Sequence, residues 1–220
     1  MRFLRRSVAA AIAVLALGCA GTANAGVISG RIWTNDPTGA QNATPGNVPN
    51  TTPNVTFDVD ATGLKFDSRL VGNGYTIGGF LTSGGGAFNA YNIAYNGATS
   101  GGTINNTIWE FTGNVTMKHG QVFHVEHDDG LTLTIGGDVV VNQPGPTAPT
   151  DTSYTWNGAD GTFAFQLVYG ECFGAPAVLE TDLPLVNSAP EPSSMALLGF
   201  GVLGLGGYAW RRKKLLKKVA

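Results

Sequence analysis

The chain has 220 residues, of which 43% are hydrophobic and only 13% are charged, with a formal net charge of −2. That small value hides an uneven distribution, because residues 26–189 contain four Lys or Arg residues against fourteen Asp or Glu residues. Such an acidic surface repels phosphate backbones and excludes nucleic acid as a partner. The 32 glycines and 11 prolines stay below the level that marks low-complexity disorder.

The first 25 residues have the pattern of a secretory signal peptide. Residues 2–6 contain three arginines, and Val8–Leu17 carries no charge. Ala23 and Ala25 then form a small-x-small cleavage site, so we expect cleavage after Ala25. A buried N-terminal helix is the alternative, but it does not explain why the charges lie only at the front end. Cys19 lies in this segment, and its surroundings resemble a lipoprotein processing site only loosely.

Residues 26–189 are long enough for one domain with its own core. Short β-like runs separated by turn residues predict an all-β fold, either an antiparallel β-sandwich or a barrel. No uninterrupted helical periodicity and no internal repeat is found there, and Thr34–Pro53 is predicted as a loop or an extended edge. The predicted strands are Val55–Val59, Tyr75–Phe80, Thr107–Phe111, Asn114–Lys118, Gln121–His127, Leu131–Ile135, Asp138–Val141, Thr162–Tyr169 and Pro176–Glu180.

Two of the three histidines lie in the predicted strand Gln121–His127. Strand alternation sends His124 and Glu126 to one face. His127 is three residues after His124 and therefore points to the opposite face. A joint zinc site on this strand is not expected, because zinc requires its ligands in one tetrahedral shell. His119 precedes a glycine at a turn and is expected in solvent.

The residues that follow this strand are unusually acidic. Asp129-Gly130 predicts a hairpin turn, and Gly136-Gly137 predicts the next one. The turn chemistry does not require a second acid at Asp128. Adjacent carboxylates are costly unless a cation or strong donors neutralise them, and such oxygen ligands suit calcium. Two interpretations stay open: a calcium site at Asp128 and Asp129, or a structural turn whose second acid is solvated.

Aromatic residues and one cysteine complete the set of candidates. Trp156 and Tyr154 form either a sugar-stacking platform on a loop or part of the core. Cys172 is alone once the signal peptide is removed, so no internal disulfide forms. It is buried, pairs between chains or is a free reactive thiol, and we expect burial because an unpaired Cys behaves as a small hydrophobic residue. Alternation by two predicts core packing for four residues of one strand: Phe163, Phe165, Leu167 and Tyr169.

The C-terminal segment has the features of a membrane anchor. Pro190, Glu191 and Pro192 precede an apolar stretch, Ser194–Trp210, and six Lys or Arg residues follow it. A helix of this length rises about 25 Å, slightly short of a hydrocarbon core of about 30 Å but workable with bilayer thinning. The basic cluster would hold that end on the cytoplasmic side. These features alone predict a single-pass transmembrane helix over 194–210.

The same segment, PEPSSMALLGFGVLGLG followed by an Arg-rich tail, resembles the PEP-CTERM sorting signal. The resemblance implies that exosortase, a membrane protease-transpeptidase, recognises residues 190–220. It also implies removal of this tail and delivery of the protein to the cell surface or the exopolysaccharide matrix. A permanent anchor that is never processed is the alternative.

The stretch EFTGNVTMKHGQVFHVEHDDGLTLTIGGDVVVN carries a second resemblance. It is similar to the core of the protective-antigen carbohydrate-binding domain family (PA-fourteen-like), in which a strand ends in Asp-Asp-Gly and an apolar strand and a glycine turn follow. The later GTFAFQLVYGE resembles the strand of that family that ends in Tyr and a polar residue. The resemblance is clearest over residues 107–180 and implies an antiparallel β-sandwich.

The resemblance also implies a ligand set. In the sugar-binding members, the flocculin-type adhesins, paired aspartates coordinate calcium, and the calcium holds sugar hydroxyls. Asp128 and Asp129 match that pair. The third ligand in those proteins is an Asn, whereas this chain has Glu171 in the comparable place, which changes both charge and reach.

Three classes of function follow from these observations. The first is a surface or matrix protein that binds polysaccharide through calcium, and the second is a structural biofilm component without a ligand site. The third, a glycan-active enzyme, is not expected, since the sequence has neither a Gly-x-Ser-x-Gly nor a His-Glu-x-x-His motif. Adjacent aspartates are also poorly placed to flank a glycosidic bond, which needs carboxyl groups about 5–10 Å apart.

Overall fold

Antiparallel strands make up most of the chain that the computed structural model describes, which is residues 27–60, 63–85 and 89–186. The strands are β1 (Val27–Trp33), β2 (Val55–Asp60), β3 (Leu64–Asp67), β4 (Tyr91–Tyr95), β5 (Thr107–Met117), β6 (Val122–Asp128), β7 (Leu131–Ile135), β8 (Asp138–Gln143), β9 (Thr150–Thr155), β10 (Gly161–Glu171), β11 (Val178–Thr181) and β12 (Leu185–Val186). The α-helices in these residues are α1 (Pro37–Gln41) and α2 (Ile77–Leu81), and 3-10 turns lie at Pro45–Asn47 and Ser68–Leu70.

The strands form two sheets, as the sequence predicts for a β-sandwich. The larger sheet has the order β4-β2-β1-β5-β10-β7-β8, and β12 also pairs with β5. The smaller sheet has the order β3-β11-β6-β9. The longest pairing in the larger sheet joins β10 to β5 over their full eleven residues, from Gly161–Met117 to Glu171–Thr107. The last residue of β10, Glu171, lies close to the last residue of β6, Asp128, in the other sheet.

An aromatic cluster fills the space between the sheets. Phe66 of the smaller sheet and Phe111 of the larger one have ring centroids 6.0 Å apart. Phe80 from α2 packs edge-on against Trp109, at 5.4 Å, and stacks on Tyr169 at 6.2 Å. Burying each such ring contributes about 1.5–3 kcal/mol, and the edge-to-face geometry adds to that. Tyr169 is thereby fixed from the core side, which matters for the site at its hydroxyl.

Most of the predicted strands are confirmed, but two regions differ. Tyr75–Phe80 is not a strand: Thr76 caps α2, its Oγ1 accepting a hydrogen bond from the Gly79 amide at 3.1 Å. A short apolar run fits a buried helix as well as a strand. Here Ile77, Phe80 and Leu81 are all buried, which is the spacing of a helix face and not the alternation of a strand. The predicted strands Thr107–Phe111 and Asn114–Lys118 are one continuous strand, β5.

Several strands are present that the sequence did not indicate, namely β1, β3, β4, β9 and β12. The predicted loop Thr34–Pro53 is largely irregular, as expected, but it contains α1 and covers the outer face of the larger sheet. There Ala43 packs with Trp33, Ile108 and Val168 in a separate small cluster. Of the residues predicted as core in β10, Phe165, Leu167 and Tyr169 are buried and Phe163 packs against the core half-buried.

The turn at Gly136-Gly137 is confirmed. Ile135 pairs with Asp138 across it, and both glycines have positive φ, +62° and +96°, as a two-residue type I′ hairpin requires.

The hairpin predicted at Asp129-Gly130 is wrong. β6 belongs to the smaller sheet and pairs with β9 and β11, whereas β7 belongs to the larger sheet and pairs with β8 and β10. The chain therefore crosses from one sheet to the other between Asp128 and Leu131. Gly130 does not have the positive φ of a tight turn; instead, it lies against the Pro144 backbone, where a side chain would not fit.

Three predictions concern residues outside the described ones. These are the signal peptide with its cleavage site at Ala23 and Ala25, the motif Pro190–Pro192, and the transmembrane helix over 194–210. The boundaries of the domain at residues 26 and 189 stay predictions as well. Among the residues that are described, no helix is both long and apolar enough to span a membrane.

Candidate metal centre

Three acidic side chains meet where the chain crosses between the sheets. Asp128 ends β6, Asp129 is the first residue of the crossing, and Glu171 is the last residue of β10. One carboxylate oxygen from each lies within 4.8 Å of the other two. All three residues are buried, with 6%, 3% and 1% of their surface exposed. The structure thus brings together the three residues that the sequence indicated as calcium ligands.

The fold explains why these residues meet. β10 pairs with β7 from Phe165–Ile135 to Tyr169–Leu131, so the end of β10 runs beside the start of β7. The Gly170 amide then donates a 2.9 Å hydrogen bond to the Gly130 carbonyl oxygen. This bond places Glu171 next to the Asp128-Asp129 crossing, whose peptide bond is cis.

Hydrogen bonds hold two of the three carboxylates. Asp129 Oδ2 accepts from the Cys172 amide at 2.9 Å and from the Cys172 thiol at 3.0 Å. Glu171 Oε1 accepts from the amides of Gly174, at 2.7 Å, and Phe173, at 3.2 Å. Burial, followed by the hydrogen bond to Asp129, raises the pKa of the Cys172 thiol to about 12, so the thiol stays a donor. The buried thiol that the sequence predicts is confirmed.

The main chain of the aspartates is also fixed by buried side chains. The Tyr169 hydroxyl contacts the Asp128 carbonyl oxygen and lies 2.9 Å from Glu171 Oε2. His127 Nδ1 donates to the Asp129 carbonyl oxygen at 2.6 Å, and its Nε2 lies 2.8 Å from Gln143 Oε1. Positioning groups of this kind set the orientation of metal ligands.

The histidines themselves do not form a site together. His127 is fully buried and uses both ring nitrogens in the contacts above, whereas His124 is exposed on the other face of β6. The predicted separation of the two rings is confirmed. His124 pairs instead with Asp182, Nδ1 to Oδ2 at 3.0 Å, and this pairing raises the pKa of His124. His119 is exposed, as predicted.

Asp128 differs from its two neighbours. Within residues 27–60, 63–85 and 89–186, its carboxylate takes part in no salt bridge and accepts no hydrogen bond from an amide, hydroxyl or amine. Its polar neighbour is the carboxylate of Asp129. The guanidinium of Arg69 is directed at Asp67, at 2.8 Å, and at Glu126, at 3.0 Å. Arg69 therefore acts on Asp128 only through its charge, which lowers the pKa, and the hydrogen-bond partner of the Asp128 side chain is another acid, Asp129.

The electrostatics of the three acids favour a bound cation. Burial, and then the charge of Asp129, raises the pKa of Glu171 to about 9 and that of Asp128 to about 7. Three carboxylates in this space are anionic together only when a positive charge lies among them. Calcium accepts six to eight oxygen ligands in flexible geometry, so an all-oxygen set that includes three carboxylates fits it. Zinc prefers nitrogen and sulfur ligands in a closed tetrahedron and fits these residues less well.

A cleft of about 430 Å³ opens beside Asp128 and Asp129. Its other walls are the proline-rich segment 146–149 and the loop 173–176. Phe173 lies in that loop with 74% of its surface exposed, the largest exposure of any large hydrophobic residue among the described ones. Phe173 is not among the residues that the sequence predicts for the site, although its position two residues after Glu171 is a local signal. An aromatic ring at the mouth of a polar cleft is suited to contact the apolar face of a ligand.

The aromatic residues that the sequence proposed for stacking lie elsewhere. Trp156 is 4% exposed, belongs to the core, and donates from Nε1 to the Ala159 carbonyl oxygen at 2.9 Å. Tyr154 is half-buried and stacks on Phe123, with centroids 5.8 Å apart. The core alternative therefore describes both residues, and neither offers an open stacking platform on a loop.

Comparison with known proteins identifies the C-terminal segment. The model of the PEP-CTERM protein-sorting motif matches residues 188–213, so the sorting signal that the sequence predicts is confirmed. This motif indicates an exported protein that exosortase sorts to the cell surface. No curated protein matches the chain.

The chain is also similar to several solved structures. A PA14 sugar-binding domain from RTX adhesin has 20% identity and a TM-score of 0.49, covering 71% of this chain and 87% of its own. The PA14 domain of MpAFP antifreeze protein has 18% identity and a TM-score of 0.48, with coverage of 74% and 82%. The Epithelial Adhesin 9 A domain from Candida glabrata, in complex with Galb1-4GlcNAc, has 13% identity and a TM-score of 0.41, covering 74% and 84%.

Proposed function

We propose that residues 26–189 form a calcium-dependent binding module for hydroxyl-rich polysaccharide, presented at the cell surface or in the exopolysaccharide matrix. The observation that carries the proposal is the carboxylate of Asp128. It is nearly buried and lines the cleft, and its side-chain hydrogen-bond partner is another acid, Asp129, rather than an amide, hydroxyl or amine of the described residues. Buried carboxylates in proteins are paired, hydrogen-bonded or bound to a metal. Calcium among Asp128, Asp129 and Glu171 supplies the missing partner.

The cleft supports a ligand on the open side of the ion. Three carboxylates leave several of the six to eight coordination positions of calcium free for water or for ligand oxygens. The cleft reaches Asp128 and Asp129 directly, so hydroxyl groups of a ligand can replace those waters. The likeness of Asp128-Asp129 to the paired aspartates of sugar-binding adhesins supports sugar hydroxyls as this ligand.

The charge of the filled site narrows the class of sugar. Three ionised carboxylates around one divalent ion keep one negative charge, and the described walls of the cleft carry no basic side chain. Uronic acids and sulfated sugars would meet repulsion there, whereas neutral or amino sugars would not. Phe173 and the prolines of the walls would contact the apolar face of such a sugar ring.

The arrangement favours binding over catalysis. A glycoside hydrolase needs two carboxyl groups on opposite sides of the bond that it breaks, about 5–10 Å apart. Here one oxygen from each of the three carboxylates lies within 4.8 Å of the other two, and of the three residues only Asp128 and Asp129 line the cleft. A convergent set holds an ion and does not flank a substrate.

Calorimetric titration of the purified full chain with calcium tests the proposal. We expect the wild-type chain to give a heat of calcium binding. We expect this heat to be lost in Asp128→Asn, which keeps the shape of the side chain and removes its charge. Asp138→Asn is the matched control, because Asp138 is an exposed acid at the start of β8. No heat in the wild-type chain would reject the calcium site. If calcium binds but no glycan on an array binds in a calcium-dependent way, the ion has a structural role only. That result would favour the second class of function, a structural matrix protein without a ligand site.

A further inference from the structure

A single buried thiol lies against the candidate metal centre. Cys172 follows Glu171 directly, is 4% exposed, and contacts Asp129 through both its main chain and its side chain. The amide and the thiol converge on one atom, Asp129 Oδ2. The loop that begins here also supplies the two amides that hold Glu171 Oε1. One short segment thus orients two of the three acidic side chains.

The two carboxylate oxygens of Asp129 therefore differ in the hydrogen bonds that they accept. Oδ2 has two donors, one of them a thiol, whose long C–S bond lets it reach an oxygen that the amide also reaches. Oδ1 accepts no hydrogen bond from any donor group among the described residues. A carboxylate held by one oxygen in this way keeps the other oxygen free for a cation, and Asp129 lines the cleft.

We propose that Cys172 is a positioning residue of the metal centre: its thiol fixes the Asp129 carboxylate so that Oδ1 faces the cation. The inference rests on the proposed calcium binding and adds a residue that ligand chemistry alone does not identify, since a thiol is a poor ligand for calcium. Because coupling between two sites is reciprocal, bound calcium also holds the thiol in place. A reagent that modifies Cys172 then competes with calcium.

Two substitutions of similar size separate this role from simple packing. Cys172→Ser keeps a donor and loses apolar contact, whereas Cys172→Val keeps apolar contact and loses the donor. We expect the Ser variant to bind calcium nearly as the wild type does. We expect the Val variant to lose about 10- to 100-fold in affinity, the usual effect of removing a group that orients a metal ligand. The reverse order, with Val like wild type and Ser impaired, would show a packing role and overturn the inference.

Thiol labelling gives a second readout that does not need either variant to fold. In a Cys19→Ser background Cys172 is the only thiol of the chain, so a maleimide reports on it alone. We expect labelling in EDTA to be slow and calcium to slow it further, with labelled protein binding no calcium. Equal labelling rates with and without calcium, in a chain that binds calcium, would overturn the inference and leave the proposed function standing. Absence of calcium binding in the unlabelled chain would instead reject the proposed function.

Discussion

Gly130 stands so close to Pro144 that a Cβ atom at position 130 would lie 2.1 Å from the Pro144 carbonyl oxygen. From the same position its own carbonyl oxygen accepts the hydrogen bond of the Gly170 amide. The crossing between the sheets is thus clamped between the segment after β8 and the end of β10. These two contacts fix Gly130, which directly follows the two aspartates, and Gly170, which directly precedes Glu171.

Gly130→Ala is therefore expected to loosen the metal centre. The added methyl group has to displace backbone, and overpacking of this kind costs about 1–3 kcal/mol in the free energy of unfolding. Urea denaturation measures that loss, and calorimetry measures the accompanying loss of calcium affinity. Gly145→Ala is the matched control, because no atom lies within 4 Å of its Cβ position and its φ is not positive. Equal stability of the two variants would contradict the clamp.

Local chemistry was enough to predict the features that depend on neighbours in sequence. The Gly136-Gly137 turn follows from the need for two residues with positive φ between antiparallel strands. The faces of β6 follow from the period of two, which places His124 outside and Val125 inside. Neither feature depends on which other strands lie beside it.

Pairing between distant strands decided the features that the sequence did not predict. An Asp-Gly pair between two apolar runs favours a hairpin, but β6 and β7 each find better partners in different sheets. Gly30 and Gly113 interrupt runs that are otherwise typical of strands. Both glycines lie under aromatic rings, Phe57 over Gly30 and Phe165 over Gly113, so these strands continue where the sequence pattern breaks.

The sequence predicts part of the candidate site, because some of its residues are neighbours in the chain and others are not. Asp128 and Asp129 are adjacent, and a family resemblance supplied Glu171. The donors on Asp129 and the isolation of Asp128 depend on contacts across 43 residues of chain and on where Arg69 points. Such contacts are properties of the folded chain alone.

The pH dependence of stability follows from the two raised pKa values. Asp128 and Glu171 have ordinary values of 3.8 and 4.5, and in the cation-free fold these rise to about 7 and about 9. The native protein then holds protons that the unfolded chain releases, so stability falls as pH rises through this window. In EDTA, we expect the melting temperature to decrease from pH 5 to pH 9.

Calcium is expected to weaken that trend. The ion binds the deprotonated carboxylates and displaces their protons, so its stabilising effect increases with pH. Differential scanning calorimetry at pH 5, 7 and 9, with EDTA or excess calcium, measures both slopes. Glu171→Gln serves as the reference, because it removes the group with the higher pKa and flattens the EDTA curve. A calcium effect that is constant with pH would contradict the assignment of these ligands.

The sorting motif makes a prediction that is independent of the metal centre. Deletion of Pro190–Ala220 removes almost all of the segment that matches the PEP-CTERM motif, so we expect the truncated protein to be secreted freely. Fractionation into surface-bound and soluble material measures this change. Removal of Lys217–Ala220 alone is the control, since it leaves residues 188–213 intact. Surface attachment of the longer truncation would mean that another segment anchors the protein.

Phe173 separates ligand binding from ion binding. Its ring is 74% exposed and contributes little to the core, so Phe173→Ala is expected to leave the melting temperature and the calcium affinity unchanged. The same change removes the aromatic surface at the mouth of the cleft. Loss of one sugar-stacking ring typically costs about 0.5–1.5 kcal/mol, or roughly 2- to 13-fold in affinity. Glycan binding in calcium measures the loss, and Val139→Ala, at an exposed residue of β8, is the control. A variant that keeps full glycan affinity would place the ligand on a different wall of the cleft.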